Sequence, residues 1–127
     1  MILKGGTNTN GIPMGILCLE TYYGRPPGHL RNASTFRFPV MYRVVKGATA
    51  KRVVKAADAE LLAPFIEAAR DLEKEGVMAV TGSCGFLALF QEQLADCVSI
   101  PVFDIVTLTN MVYETLLRTA YHGILPR

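Results

Sequence analysis

The chain has no stretch of about 18 consecutive apolar residues, so no segment is long enough to cross a bilayer as a helix. It has no run of lysine and arginine interleaved with aromatics. The basic residues are scattered from Lys4 to Arg127 and the formal net charge is only +2, which argues against a nucleic-acid partner. Cysteine is scarce: three residues, an odd number, far apart in sequence. That spacing points to reduced thiols in the cytoplasm rather than a disulfide framework. Histidine is scarcer still. His29 and His122 have no cysteine or carboxylate at metal-ligand spacing, so no bound metal is expected. The glycine-rich GGTNTNG at 5–11 precedes the first strand candidate and lacks the P-loop lysine, so it is no phosphate loop. Residues 1–15 are rich in Gly, Asn and Thr and lack the apolar centre of a signal peptide. Without such a signal, Asn32-Ala33-Ser34 carries no weight as a glycosylation acceptor.

What is present is a globular composition. Half of the 127 residues are apolar and 19% are charged, enough for one core and too few residues for two ordinary domains. Residues 1–14 read as a loose arm and 15–127 as a single domain. The apolar GILCLE at 15–20 predicts a buried strand. Gly24, Pro26, Pro27 and Gly28 then break regular structure across 21–37, a long loop of the kind that often binds ligands or contacts partners. A β-rich run at 38–45 predicts a second strand, with Pro39 confined to its start. Thr49 can cap a helical turn at 50–55. Asp58 opens a longer helix to about residue 75, in which Leu61, Phe65, Ala69 and Leu72 recur at helical spacing. Pro64 must kink this helix or mark its first turn, and Gly76 is placed to end it. VMAVT at 77–81 predicts a third strand, 86–95 a second helix, 98–103 a fourth strand with Pro101 at an edge position, and 107–119 a third helix.

Strands alternating with helices predict an α/β fold of three layers, α/β/α, around a mainly parallel four-stranded sheet. Ligands bind such sheets outside the carboxyl ends of the strands. The residues there are Glu20 and Thr21, then Thr81 to Gly85, then Asp104 to Thr107.

Cys84 stands out among them. It follows a buried strand, which fixes its position, and precedes a helix, whose free N–H groups and dipole favour a thiolate. Gly82 and Gly85 flank it and permit close approach of backbone and ligand. Those N–H groups, with the hydroxyls of Ser83 and Thr81, suit a carboxylate. The residues also fit a plainer role, in which Cys84 is a small apolar filler in a tight turn. Cys18 reads as core and Cys97 as structural. Tyr22, Tyr23 and Arg25 follow the first strand and can line a pocket. His29 would reach Cys84 only if the long loop folds over it.

The segment AVTGSCGFLALFQEQLA at 79–95 resembles the first cysteine motif of the aspartate/glutamate racemase superfamily, in a poorly characterised branch. Residues 15–49 are similar to the N-terminal part of that branch, and PVFDIVTLTNMVYETLL at 101–117 to its C-terminal end. The resemblance implies a flavodoxin-like half of a racemase fold and a racemase or isomerase that needs no cofactor. In such enzymes two cysteines, one from each half, move a proton on opposite faces of an amino acid or related carboxylate. Carried over, Cys84 is the first cysteine, Ser83 and Gly85 its neighbours, and Glu20 and Thr21 the pocket edge. No second cysteine motif follows, which implies an internal deletion with its join near 101–104. A homodimer that sets two copies of Cys84 face to face would restore the missing thiol. The competing expectations are a catalytically inactive truncated domain and a different cysteine-dependent enzyme, a decarboxylase or hydrolase.

Overall fold

The structure, a computed structural model, describes residues 5–56 and 58–104. The strands are β1 (Ile12–Cys18), β2 (Val40–Val44), β3 (Val77–Gly82) and β4 (Val102–Phe103). They form one four-stranded sheet in the order β2-β1-β3-β4, and every pairing is parallel. Helix α1 (Leu62–Glu75) crosses from β2 to β3, and helix α2 (Gln91–Cys97) from β3 to β4. This is the α/β class and the parallel sheet expected from alternating strands and helices. The helix expected at 107–119 lies outside the described residues. No helix among the described residues is long and apolar enough to cross a membrane.

Helix α1 shows how local sequence sets these boundaries. Asp58 caps the 3-10 turn Ala59–Leu61 that leads into it, accepting the Glu60 N–H at 2.9 Å. Arg52 holds the same carboxylate at 2.7 Å, and its hydrogen bond keeps Asp58 below the usual carboxylate range. Pro64 falls in the first turn, where its missing N–H would have no intrahelical partner. Gly76 stops the helix at φ 111°, donating to the Leu72 and Glu73 carbonyls. A Cβ at Gly76 would sit 2.0 Å from the Thr9 carbonyl oxygen. The chain passes there because the Asn8 and Thr9 N–H groups satisfy the Lys74 and Glu75 carbonyls, which a helix end leaves open.

The core lies on the α1 side of the sheet. Leu17, Val80 and Val102 meet Leu61, Phe65, Ala69 and Leu72 of the α1 region and Leu94 of α2. Gly15 makes room for this contact, since a Cβ there would meet Leu72 Cδ1 at 3.0 Å. Leu72 is fully buried, and truncating such a leucine to alanine typically costs about 2–5 kcal/mol. Ile16 and Cys18 are equally buried but stay outside this cluster, as the alternation of a strand requires.

Three boundaries differ from expectation. Strand β1 begins at Ile12 and ends at Cys18 rather than spanning 15–20. Pairing of Ile12 with Val77 and of Met14 with Val40 and Ala79 draws the earlier residues in. The Glu20 N–H then leaves the sheet for the Ala48 carbonyl. Strand β4 is confined to Val102–Phe103. Pro101 has no N–H to add to the ladder, though its carbonyl accepts the Val80 N–H at 2.9 Å. The helix expected at 86–95 begins as a 3-10 segment, Gly85–Phe90, and becomes α-helical only at Gln91.

Candidate functional site

The sheet has a switch point. From β1 the chain moves out to β2 on one side, and β3 flanks β1 on the other. In sheets of this order ligands bind in a crevice outside the carboxyl ends of the strands, which here would fall between the turn after β3 and the long loop after β1.

The β3 turn is tight. The Ser83 N–H donates to the Leu17 carbonyl at 2.9 Å, extending the β1–β3 ladder by one bond. Gly82 is required there, because a Cβ would stand 1.6 Å from Leu87 Cδ1. The space that glycine leaves is thus filled by Leu87, a packing role rather than an opening for ligand. Cys84 follows in extended conformation, φ −139° and ψ 137°, as the residue that caps the 3-10 segment. It is half-buried and packs against the core. Its carbonyl accepts the Leu87 N–H at 3.2 Å. Because the first turns behind it are 3-10, fewer peptide dipoles align on Cys84 than an α-helix would supply.

The other expected residues divide into two groups. Ser83 and Gly85 stand beside Cys84, and Gly85 is exposed. Thr81 is 5% exposed and its hydroxyl donates to the Phe103 carbonyl at 2.6 Å, so it ties β3 to β4. Glu20 and Thr21 lie across the crevice after β1. Glu20 accepts the Gly47 N–H at 2.9 Å, with the Tyr22 hydroxyl 3.4 Å from its other oxygen. Thr21 Oγ1 receives two guanidinium groups, Arg25 Nη2 at 2.7 Å and Arg31 Nη1 at 2.8 Å.

Sequence reasoning missed Arg31 and misplaced Cys18. Cys18 is the last residue of β1, 1% exposed, and so stands at the strand end rather than mid-strand. Burial pushes its thiol up. The Arg31 charge, a hydrogen bond with Ser83 and the Arg25 charge oppose that shift. Burial and the neighbouring Cys18 likewise push up the Tyr42 phenol, whose hydroxyl donates to the Leu30 carbonyl at 2.8 Å. His29 is held inside the loop, where its Nδ1 accepts the Arg31 N–H at 3.0 Å and its ring meets Tyr23 edge-on. The readable signal for Arg31 was its place on a long loop leaving the switch-point strand. A groove of about 570 Å³ along α1, lined by Ala63, Ile66, Arg70, Lys74 and Cys97 among others, includes none of these strand-end residues.

The chain is similar to lyases. It is 32% identical over 97 residues to a dimethylsulfoniopropionate lyase of Durusdinium sp. clade D, covering 75% of this chain and 32% of the relative. It is 32% identical over 91 residues to dimethylsulfoniopropionate lyases 6 and 7 of Emiliania huxleyi (strain CCMP1516), covering 71% of this chain and 24% and 27% of those relatives. The chain therefore spans only a quarter to a third of the length of the curated relatives it matches. No family model matches. No solved structure matches.

These findings correct the expectation drawn from the racemase resemblance. The relatives are named for lyase activity, not for racemisation of an amino acid, and no family model supports the aspartate/glutamate racemase assignment. The isomerase reading of Cys84 falls with it. The physical reason is that a cysteine on a strand-end turn is equally suited to removing a proton whatever the fate of the carbanion.

Proposed function

We propose that this chain carries the base of a β-elimination that acts on a small carboxylate with a sulfonium group on its β-carbon, and that Cys84 is that base. The thiolate takes a proton from the carbon next to the carboxylate. The C–H electrons form the new carbon–carbon double bond, and the C–S electrons leave with sulfur. For dimethylsulfoniopropionate the products are acrylate, dimethyl sulfide and a protonated thiol. The sulfonium departs as a neutral thioether, so the leaving group needs no acid. Racemisation needs proton-transfer groups on two opposing faces, whereas elimination needs one base. Of the two cysteines at the ends of β1 and β3, Cys18 is buried and Cys84 alone is partly exposed, which suits the second chemistry better.

Ser83 and Gly85 flank the base, and Glu20 and Thr21 form the opposite edge of the crevice. The strand order β2-β1-β3-β4 is that of a flavodoxin-like sheet, which supports reading the domain as a flavodoxin-like unit with its site at the β1/β3 switch point, although the described helices α1 and α2 pack on one face of the sheet. The observation that carries the proposal is the placement of half-buried Cys84 at that switch point, in a chain similar to lyases.

The test is dimethyl sulfide release from dimethylsulfoniopropionate, followed by headspace gas chromatography. The native chain is expected to release it, and Cys84→Ala to lose on the order of 10²–10⁴ of the rate, the usual contribution of a general base. Equal rates in both would remove Cys84 from the chemistry. The packing of Cys84 against the core favours a second reading, a carboxylate-binding domain without turnover. That reading predicts acrylate binding with no sulfide release.

A further inference from the structure

We infer that Arg25 and Arg31, on the loop after β1, form the subsite that holds the carboxylate of a small organic acid at the switch-point crevice. Both guanidinium groups converge on one neutral oxygen, Thr21 Oγ1, at 2.7 and 2.8 Å, so two cationic nitrogens stand within about 5.5 Å of each other. Among the described residues the ion pairs are Arg43–Glu75 and Arg52–Asp58, so neither loop arginine has a carboxylate partner. Glu20, the neighbouring acid, is engaged by the Gly47 N–H at 2.9 Å.

Two like charges gathered without a counter-charge are unfavourable unless an anion joins them. The loop's own bonds hold the groups in place for one. Arg25 donates to the Tyr23 and Thr21 carbonyls at 2.7 and 3.0 Å, and its guanidinium lies 4.2 Å from the Tyr23 ring centroid. Arg31 donates from Nη1 to the Leu19 carbonyl at 2.9 Å and to Thr21, and its charge acts on Cys18 at the end of β1. Planar guanidinium groups match the geometry of a carboxylate.

As an account of substrate orientation the inference rests on the lyase reading; as a binding site it does not. The probe is sodium acrylate titrated into the full chain and followed by amide NMR shifts, with acrylamide as the neutral control of the same shape. Acrylate is expected to bind at least about tenfold more tightly than acrylamide, a comparison that needs no variant. Arg25→Gln and Arg31→Gln are each expected to weaken acrylate by roughly tenfold. Arg70→Gln, at an arginine on α1 outside the loop, is expected to bind acrylate within about twofold of the native chain. Equal binding of acrylate and acrylamide, no binding of either, or unchanged affinity in both arginine variants would overturn the subsite. Sulfide release that persists in Cys84→Ala, with acrylate still selected over acrylamide, would sink the lyase mechanism and leave the subsite standing.

Discussion

After β3 the chain turns at once through Gly82 and Ser83, and Leu87 fills the space that a side chain on Gly82 would need. After β1 it travels through residues 19–39 before entering β2, and that loop is held mainly by side chains bonded to backbone oxygens. The first end is apolar and close-packed. The second is polar and carries two arginines. Close packing leaves a side chain few alternatives, which suits a group that must meet one carbon atom. A loop tied by several hydrogen bonds can instead bring charge to the same crevice from far along the sequence. We read the β3 end as the place of chemistry and the β1 end as the place of recognition.

The comparison breaks most readily at its packed end. Gly82→Ala would drive a methyl group into Leu87, and overpacking of that kind is expected to cost about 3 kcal/mol in chemical denaturation. Adding Leu87→Ala should recover part of that loss, and failure to recover any would place the strain elsewhere in the turn. At the loop end the effects should be smaller. Thr21→Val removes the oxygen shared by Arg25 and Arg31, with an expected cost of about 1.5 kcal/mol by the same measurement. A cost equal to that of Gly82→Ala would mean the two ends are equally rigid. Tyr42→Phe deletes the bond to the Leu30 carbonyl and should cost about 1 kcal/mol.

The smallest expected effect is a pH dependence at Cys18. Its thiol value in the folded chain is raised above the ordinary 9.0, chiefly by burial. The neutral buried thiol therefore contributes stability that is fully present below the unfolded value. That contribution is lost as pH rises through the folded value. Thermal midpoints should fall as pH climbs past 9.0, and Cys18→Ala should flatten that fall. An identical slope in the variant would show that another group titrates.

The two ends also differed in how far they could be read from residues alone. VMAVT, the Gly82 turn and the Gly76 stop are local signals, and the structure places β3 and the end of α1 within a residue of them. The limits of β1 depend on pairing of Ile12 with Val77, a contact no local window contains. That shift moved Cys18 from mid-strand to the strand end. Arg31 was illegible for a similar reason, since its partners Leu19 and Thr21 are reached only once the loop has folded back. Cys84 could be located by the strand, glycine and helix around it. The reaction proposed for it could not be read there, because inversion and elimination begin with the same proton transfer and diverge at the leaving group, which belongs to the substrate.

The most direct measurement of the central claim is dimethyl sulfide release by the native chain and by Cys84→Ala, each first shown to be folded by circular dichroism. Release by the native chain that falls on the order of 10²–10⁴ in the variant is the predicted result. Release that is undiminished in Cys84→Ala, or absent from the folded native chain, would contradict the assignment of Cys84 as the base of an elimination.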